Sequence, residues 1–269
     1  MLLGVVTGTV IVISSISWPM AWLGLELNLI RFVPAVIKEE RIKKTSMFYF
    51  ITQRLGSLLI LTAGLFLDLN NFLILILLMG IILKMGAIPF HFWVPMVVPF
   101  LDKFGVYAIQ SWQKIAPISL LVFCVLNKRF LTILNIWLGA FLIMRIRLPI
   151  MVIIFSGIVQ VGWIFALNPF LIWWFLRIYF IVLLPTIMFI KTNSRNFSLS
   201  LVNRGGLPPF TGFIIKLSAI KSLRSFIASS ILMGRGIALV TYSRMLLNKG
   251  FKKDELSPAV IVALIAGLV

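Results

Sequence analysis

FLILILLMGIILKMGAIPFHFW, running from Phe72 to Trp93, is the stretch that decides how the rest of the chain is read. The run from Phe72 to Leu83 carries no charge, and at 1.5 Å per residue it climbs roughly 18 Å, about half of a bilayer. Lys84 follows at that depth. An intramembrane lysine costs on the order of 3 kcal/mol by insertion scales, and desolvation disfavours its charged form, so Lys84 could shed and regain a proton. The plainer reading is a structural lysine hydrogen-bonded to a broken helix. Gly86 and Pro89 supply the break. In lipid they are tolerated only where protein or water re-satisfies the backbone. The stretch thus predicts a transmembrane helix interrupted near residues 84–93, with a titratable group at the interruption.

The whole chain fits that reading. Of its 269 residues 61% are hydrophobic and 12% charged, and the mean hydropathy is +1.11; a soluble domain has about 45–50% apolar and about 25% charged residues. Eleven apolar segments are expected, roughly 2–18, 21–37, 46–67, 72–93, 105–126, 130–144, 149–167, 170–190, 197–220, 226–247 and 257–269. The last is short, so ten spans is the alternative. Trp18-Pro19, Asp68 to Asn71 and Asn168-Pro169 read as tight turns.

A net charge of +18 would suggest nucleic acid in a soluble chain. Here the basic residues sit mostly between apolar stretches, so no nucleic-acid partner is expected. Lys38, Arg41, Lys43, Lys44, Lys103, Arg145, Arg147, Lys191, Arg195, Lys249, Lys252 and Lys253 fall in the loops after even-numbered spans. Only Lys128, Arg129, Lys221 and Arg224 follow odd ones. That asymmetry places the N-terminus on the cytoplasmic or matrix side. Anionic lipids such as cardiolipin and acidic partner subunits are the expected counter-charges. Cys124 is the only cysteine and His91 the only histidine, which excludes disulfides, iron–sulfur ligation and a multi-histidine metal or haem site within this chain. No metal is expected. The chain opens with no basic n-region, so neither a secretory signal nor a transit peptide is expected, and its first segment reads as a retained span.

A faint repeat organises the spans. Gly86-Ala87-Ile88-Pro89-Phe90 in the fourth is echoed by Gly205-Gly206-Leu207-Pro208-Pro209 in the ninth. Broken helices five spans apart fit an inverted repeat, since an odd number of helices flips the second copy. The expected fold is an all-α membrane protein of ten or eleven transmembrane helices in two inverted five-helix repeats. Residues 1–126 form the first half, with its break near 84–93. Residues 127–247 form the second, with its break near 205–216, and 248–269 form a terminal loop and short helix.

Other ionisable residues fall inside these spans. Glu26 lies about five residues into the second, roughly 8 Å deep, and is either a snorkelling carboxylate or a partner for Lys84. Lys114, in Gln110-Ser111-Trp112-Gln113-Lys114-Ile115-Ala116-Pro117, is near mid-membrane, where carbonyls freed by Pro117 could satisfy it or hold a cation. Lys216 follows the second break, but hydropathy alone also permits an interfacial lysine there. His91 is a core histidine or a relay. Arg31, Arg54, Arg177 and Arg235 keep their charge and read as partners or anchors.

Together these motifs resemble a known family. Trp22-Leu23-Gly24-Leu25-Glu26-Leu27-Asn28, Lys84 to Pro95, Trp112-Gln113-Lys114-Ile115-Ala116-Pro117 and Gly205 to Phe213 with Lys216 occur in the order found in subunit 2 of mitochondrial NADH dehydrogenase, an antiporter-like membrane subunit of respiratory complex I. The resemblance runs over nearly the whole chain. It implies that Glu26 and Lys84 match the family's buried ion pair, Lys114 the central relay lysine, and Lys216 the lysine of the second broken helix, joined by water wires. It also implies a proton-translocating subunit of NADH:ubiquinone oxidoreductase in the mitochondrial inner membrane, with the N-terminus in the matrix. Neighbouring antiporter-like and other membrane-arm subunits would be its partners. The complex would use NADH, FMN, iron–sulfur clusters and ubiquinone elsewhere, and this chain would bind none of them. The chain begins at what would be the fourth span of bacterial members, as in the shortened animal form.

Departures from the family pattern are expected to matter. Met96 stands where an acid is common, Gln160 where a histidine is usual in the seventh span, and Arg204 where a neutral residue precedes the second break. Gln160 does not titrate near neutrality, and Arg204 could repel protons from Lys216. Two other readings follow: a stand-alone cation/proton antiporter, which needs more carboxylates than Glu26 provides, and a structural complex I subunit that has lost pumping.

Overall fold

Runs of Leu, Ile, Val and Phe without turn residues leave the backbone one way to satisfy its amides in an apolar medium, the helix. In a computed structural model of the chain, every regular element among the described residues is helical. The described residues are 2–36, 43–66, 72–123, 128–146, 148–190, 194–207, 210–221, 223 and 225–249. The expected short terminal helix at 257–269, the Asp68 to Asn71 turn and Pro208-Pro209 lie outside them. The chain divides into two compact units, residues 1–126 and 127–269.

The first unit holds α1 (Leu2–Ser14), α2 (Trp18–Val36), α3 (Lys43–Leu65), α4 (Phe72–Met85), the short α5 (Trp93–Val97), a 3-10 turn at Val98–Phe100, α6 (Lys103–Gln110) and α7 (Trp112–Phe123). Glycine sets its helix spacing. A Cβ on Gly8 of α1 would lie 2.9 Å from the Gly24 carbonyl oxygen of α2. One on Gly80 of α4 would lie 2.9 Å from the Gly56 carbonyl oxygen of α3. Small residues thus let these backbones approach closely, as membrane helix pairs require.

Two local expectations are corrected. Trp18-Pro19 is not a turn but the start of α2: the Ala21 amide already bonds the Ser17 carbonyl at 3.1 Å. Proline suits the first helical turn, whose amides have no partner within the helix. The segment 105–126 is not one helix, because it is interrupted at Ser111, between α6 and α7. Pro117, the expected disturbance, sits inside α7.

The second unit holds α8 (Arg129–Arg145), α9 (Pro149–Ala166), α10 (Pro169–Met188), α11 (Ser194–Gly205), α12 (Thr211–Lys221) and α13 (Ser225–Lys249). Proline begins α9 and α10, and Asn168 precedes α10 as expected of a tight turn. From Val152 to Phe165 every residue of α9 is buried, so this helix is covered on all sides and forms the centre of its unit. Among the described residues, three helical stretches are long and apolar enough to cross a membrane: Thr45–Leu65, Pro149–Ala166 and Pro169–Met188. Leu3–Ser14 and Phe72–Met85 are apolar but shorter, the latter because α4 stops at its break.

Candidate functional site

The first break is a helix stop built by glycine. Gly86 takes φ +63°, a conformation that costs other residues roughly 1–2 kcal/mol. Its amide bonds the Leu83 carbonyl at 3.2 Å, and the Ala87 amide bonds Ile82 at 3.1 Å. This is the paired reverse bonding of a Schellman cap. Two side chains complete it. The Trp93 indole donates to the Leu83 carbonyl at 2.9 Å, and the Gln53 amide of α3 donates to the Lys84 carbonyl at 3.4 Å. The Trp93 ring is held in turn by Tyr49, 5.5 Å away between centroids.

Capping by neutral groups leaves the Lys84 side chain for another task. Its stem crosses Gly56, where an added Cβ would meet Lys84 Cγ at 2.9 Å. The Glu26 carboxylate acts on its charge. Glu26 itself is buried and accepts a hydrogen bond from the Ser57 hydroxyl, which also lies 2.8 Å from the Arg54 carbonyl. Because α2 begins at Trp18, Glu26 lies about 12 Å along the helix rather than 8, and its burial rules out the snorkelling reading. A carboxylate, a hydroxyl and an ammonium on three helices thus form one buried polar group. Such a group can hold a proton in more than one place.

Lys114 is also buried, on α7, and donates to the Gln110 side-chain oxygen at 3.0 Å. This partner comes from across the Ser111 interruption. Ser111 seals that interruption through a 2.5 Å bond from its hydroxyl to the Tyr107 carbonyl. Gln113 ties α7 to α2 by donating to Asn28 Oδ1 at 3.1 Å, and α7 also packs against α4. Glu26, Lys84 and Lys114 therefore share one unit. His91 is half-buried in the turn after α4, with Nδ1 3.3 Å from the Pro89 carbonyl oxygen, where it braces the turn. Met96 is 54% exposed, away from the buried group.

The second break stops in a similar way and is filled differently. Gly206 takes φ +78°, and its amide bonds the carbonyls of Val202 and Asn203 at 3.1 and 2.9 Å. The next three carbonyls are taken by side chains. Lys216 Nζ donates to Arg204 at 2.6 Å and to Gly205 at 3.1 Å. Gln160 Nε2 also reaches the Arg204 carbonyl, at 3.1 Å. Arg235 donates to Gly206. Lys216 is only 3% exposed, so its ammonium does not snorkel to the surface.

Each cation here lies on a ring: Arg204 on Tyr179 at 5.2 Å, Lys216 on Trp163 at 5.6 Å and Arg235 on Phe213 at 5.5 Å. Gln160, which cannot titrate, acts as a carbonyl donor. Arg235 joins the break, whereas Arg31, Arg54 and Arg177 are exposed. Sequence reading missed Ser57, Gln53 and Trp93 as partners. The polar run Thr52-Gln53-Arg54 with Ser57 in an otherwise apolar span was the available signal for two of them.

No family model matches the chain. Curated relatives do. The chain is 31% identical to NADH-ubiquinone oxidoreductase chain 2 of Lumbricus terrestris, over 81% of this chain and 75% of that one. It is 30% identical to the protein of that name from Myxine glutinosa, over 91% and 83%. Among solved structures, a chain of respiratory complex I from Thermus thermophilus superposes with a TM-score of 0.79 at 16% identity, covering 99% of this chain and 75% of that one. A chain of the Mrp complex from Dietzia sp. gives 0.78 at 13% identity, covering 96% and 61%. At those identities the likeness is one of fold. From the identity and coverage of its curated relatives, the chain belongs to the NADH-ubiquinone oxidoreductase chain 2 family.

Proposed function

We propose that this chain is a proton-translocating membrane-arm subunit of NADH:ubiquinone oxidoreductase in the mitochondrial inner membrane, with its N-terminus on the matrix side. The observation that carries the reading is the buried Glu26–Ser57–Lys84 group beside a helix stopped by Gly86. A charge appearing or vanishing 4 Å from another is worth about 4 kcal/mol at an effective dielectric of 20. Quinone chemistry in other subunits would alter the Glu26–Lys84 pairing, Lys114 would relay the change, and Lys216 would serve the second unit, with His91 as a lesser relay. NADH, FMN, iron–sulfur clusters and ubiquinone would be held elsewhere in the complex. Neighbouring antiporter-like subunits are the expected partners, and anionic lipids such as cardiolipin the expected counter-charge.

The same reading takes the fold as ten or eleven spans in two inverted five-helix halves. Its support is that the element stopped by a left-handed glycine is the fourth of five in each unit, counting α6 and α7 as one. A second reading, a structural subunit whose second unit no longer moves protons, is favoured by Lys216 acting as a carbonyl cap. The ratio of protons pumped to electrons transferred, measured in the reconstituted complex, tests the first. Lys84→Met or Lys114→Met should lower that ratio while NADH oxidation by the peripheral arm persists. A full ratio in both variants would remove proton transfer from this chain, and a full ratio in Lys216→Met alone would select the second reading.

A further inference from the structure

We propose that the cavity beside the second break is a binding site for a small monoatomic anion, chloride in an ordinary electrolyte. The cavity is lined by Gln160, Phe175, Tyr179, Arg204, Gly212 and Lys216, among others, and its volume of about 20 Å³ is room for about one water-sized particle.

Charge decides what that particle is. Arg204 is 2% exposed and Lys216 3%, and the charges of Arg204 and Arg235 both bear on Lys216. The only carboxylates in residues 127–269 are Asp254 and Glu255, outside the described residues. Buried charges are ordinarily paired or bound to an ion. Here ring faces and backbone carbonyls supply only partial negative charge. They also leave donors over: Arg204 Nε and Nη1 are buried with no hydrogen-bond partner among the described residues, while Nη2 is used on the Tyr179 hydroxyl at 3.0 Å. Gly212, in the first turn of α12, adds the positive end of that helix to the lining. A water there would need acceptors for its own two hydrogens and would leave the charge unbalanced. A halide accepts several N–H groups at once and needs no acceptor.

The test uses the chain in its native membrane assembly, crystallised with bromide replacing chloride, and reads anomalous scattering at the bromine edge. The expected result is a peak inside the Arg204–Gly212–Lys216 cavity, lost in Arg204→Gln. A second measurement does not need crystals of the variant. The chloride concentration giving half-maximal protection against heat inactivation, with gluconate holding ionic strength constant, should rise by about tenfold in Arg204→Gln, equivalent to about 1.4 kcal/mol. A wild-type cavity that holds only water, or an acidic side chain from another subunit, overturns the proposal. So does chloride protection that is unchanged in Arg204→Gln.

Discussion

At the first break the carbonyls left over where α4 stops go to neutral donors, the Trp93 indole and the Gln53 amide. At the second, where α11 stops, they go mainly to the cations Lys216 and Arg235. Both helices end on a left-handed glycine, and in both the carbonyl two residues before that glycine accepts a glutamine amide. The difference lies in what the lysine is left to do. Lys84 is free of capping duty among the described bonds and faces the only buried carboxylate described. Lys216 is spent on the backbone and surrounded by like charge. A neutral amine keeps two N–H groups but loses the charge that strengthens their bonds, so a proton lost from Lys216 would weaken the cap rather than only change a charge. The first unit therefore suits a charge traded with a carboxylate, the second a lysine tied to the backbone.

The sharpest way to break this comparison is to remove the carboxylate. Glu26→Leu leaves Lys84 buried without its counter-charge and should cost about 3–5 kcal/mol, seen as a large fall in the heat-inactivation midpoint of the assembly. Adding Lys84→Met should restore most of the loss. If the two substitutions instead add, the residues are not a pair and the contrast between the breaks fails.

The glycines come next. Gly206→Ala should cost at least the roughly 1–2 kcal/mol of a left-handed alanine, since the new methyl also meets the Gly212 carbonyl oxygen at 2.8 Å. At Gly86 the new methyl would lie closer still to a Val94 methyl carbon, on a buried β-branched side chain with little rotamer freedom, so Gly86→Ala should cost at least as much by the same measurement. A clearly milder loss at Gly86 would make the first break the softer one.

The smallest effects separate the glutamines. Gln53→Leu removes the described donor to the Lys84 carbonyl and should cost about 1–3 kcal/mol. Gln160→Leu leaves Lys216 on the Arg204 carbonyl, so its loss should stay near 1 kcal/mol, the net worth of one hydrogen bond. Equal losses would mean that Lys216 contributes little as a cap.

What was legible in the sequence was local. Gly86 and Pro89 after an apolar run announce a stop, and a lysine at that depth announces a polar environment, whatever surrounds it. Apart from the Glu26–Lys84 pairing that the family resemblance implies, partners drawn from other helices were not legible, because Ser57 is thirty-one residues from Glu26 and nothing in periodicity links them. Pro117 drew attention to the wrong point of α7. Proline fits inside a helix when neighbours absorb the lost bond, while the real interruption, at Ser111, is closed by a serine hydroxyl that resembles any other. Arg235 reads from hydropathy as a partner or an anchor, with nothing to say of what. Only the fold turns it inward to a carbonyl twenty-nine residues away.

The glycine crossings of the first unit carry a consequence for inheritance. Any single-base change at the first or second position of a glycine codon that still encodes an amino acid adds at least a β-carbon. At Gly8, Gly24 and Gly80 that atom would fall within 3 Å of a neighbouring helix's backbone. No conservative variant exists at these sites, so natural variation in this gene should be sparse there and should collect on the outward faces of the same helices, around residues such as Leu27 and Met79.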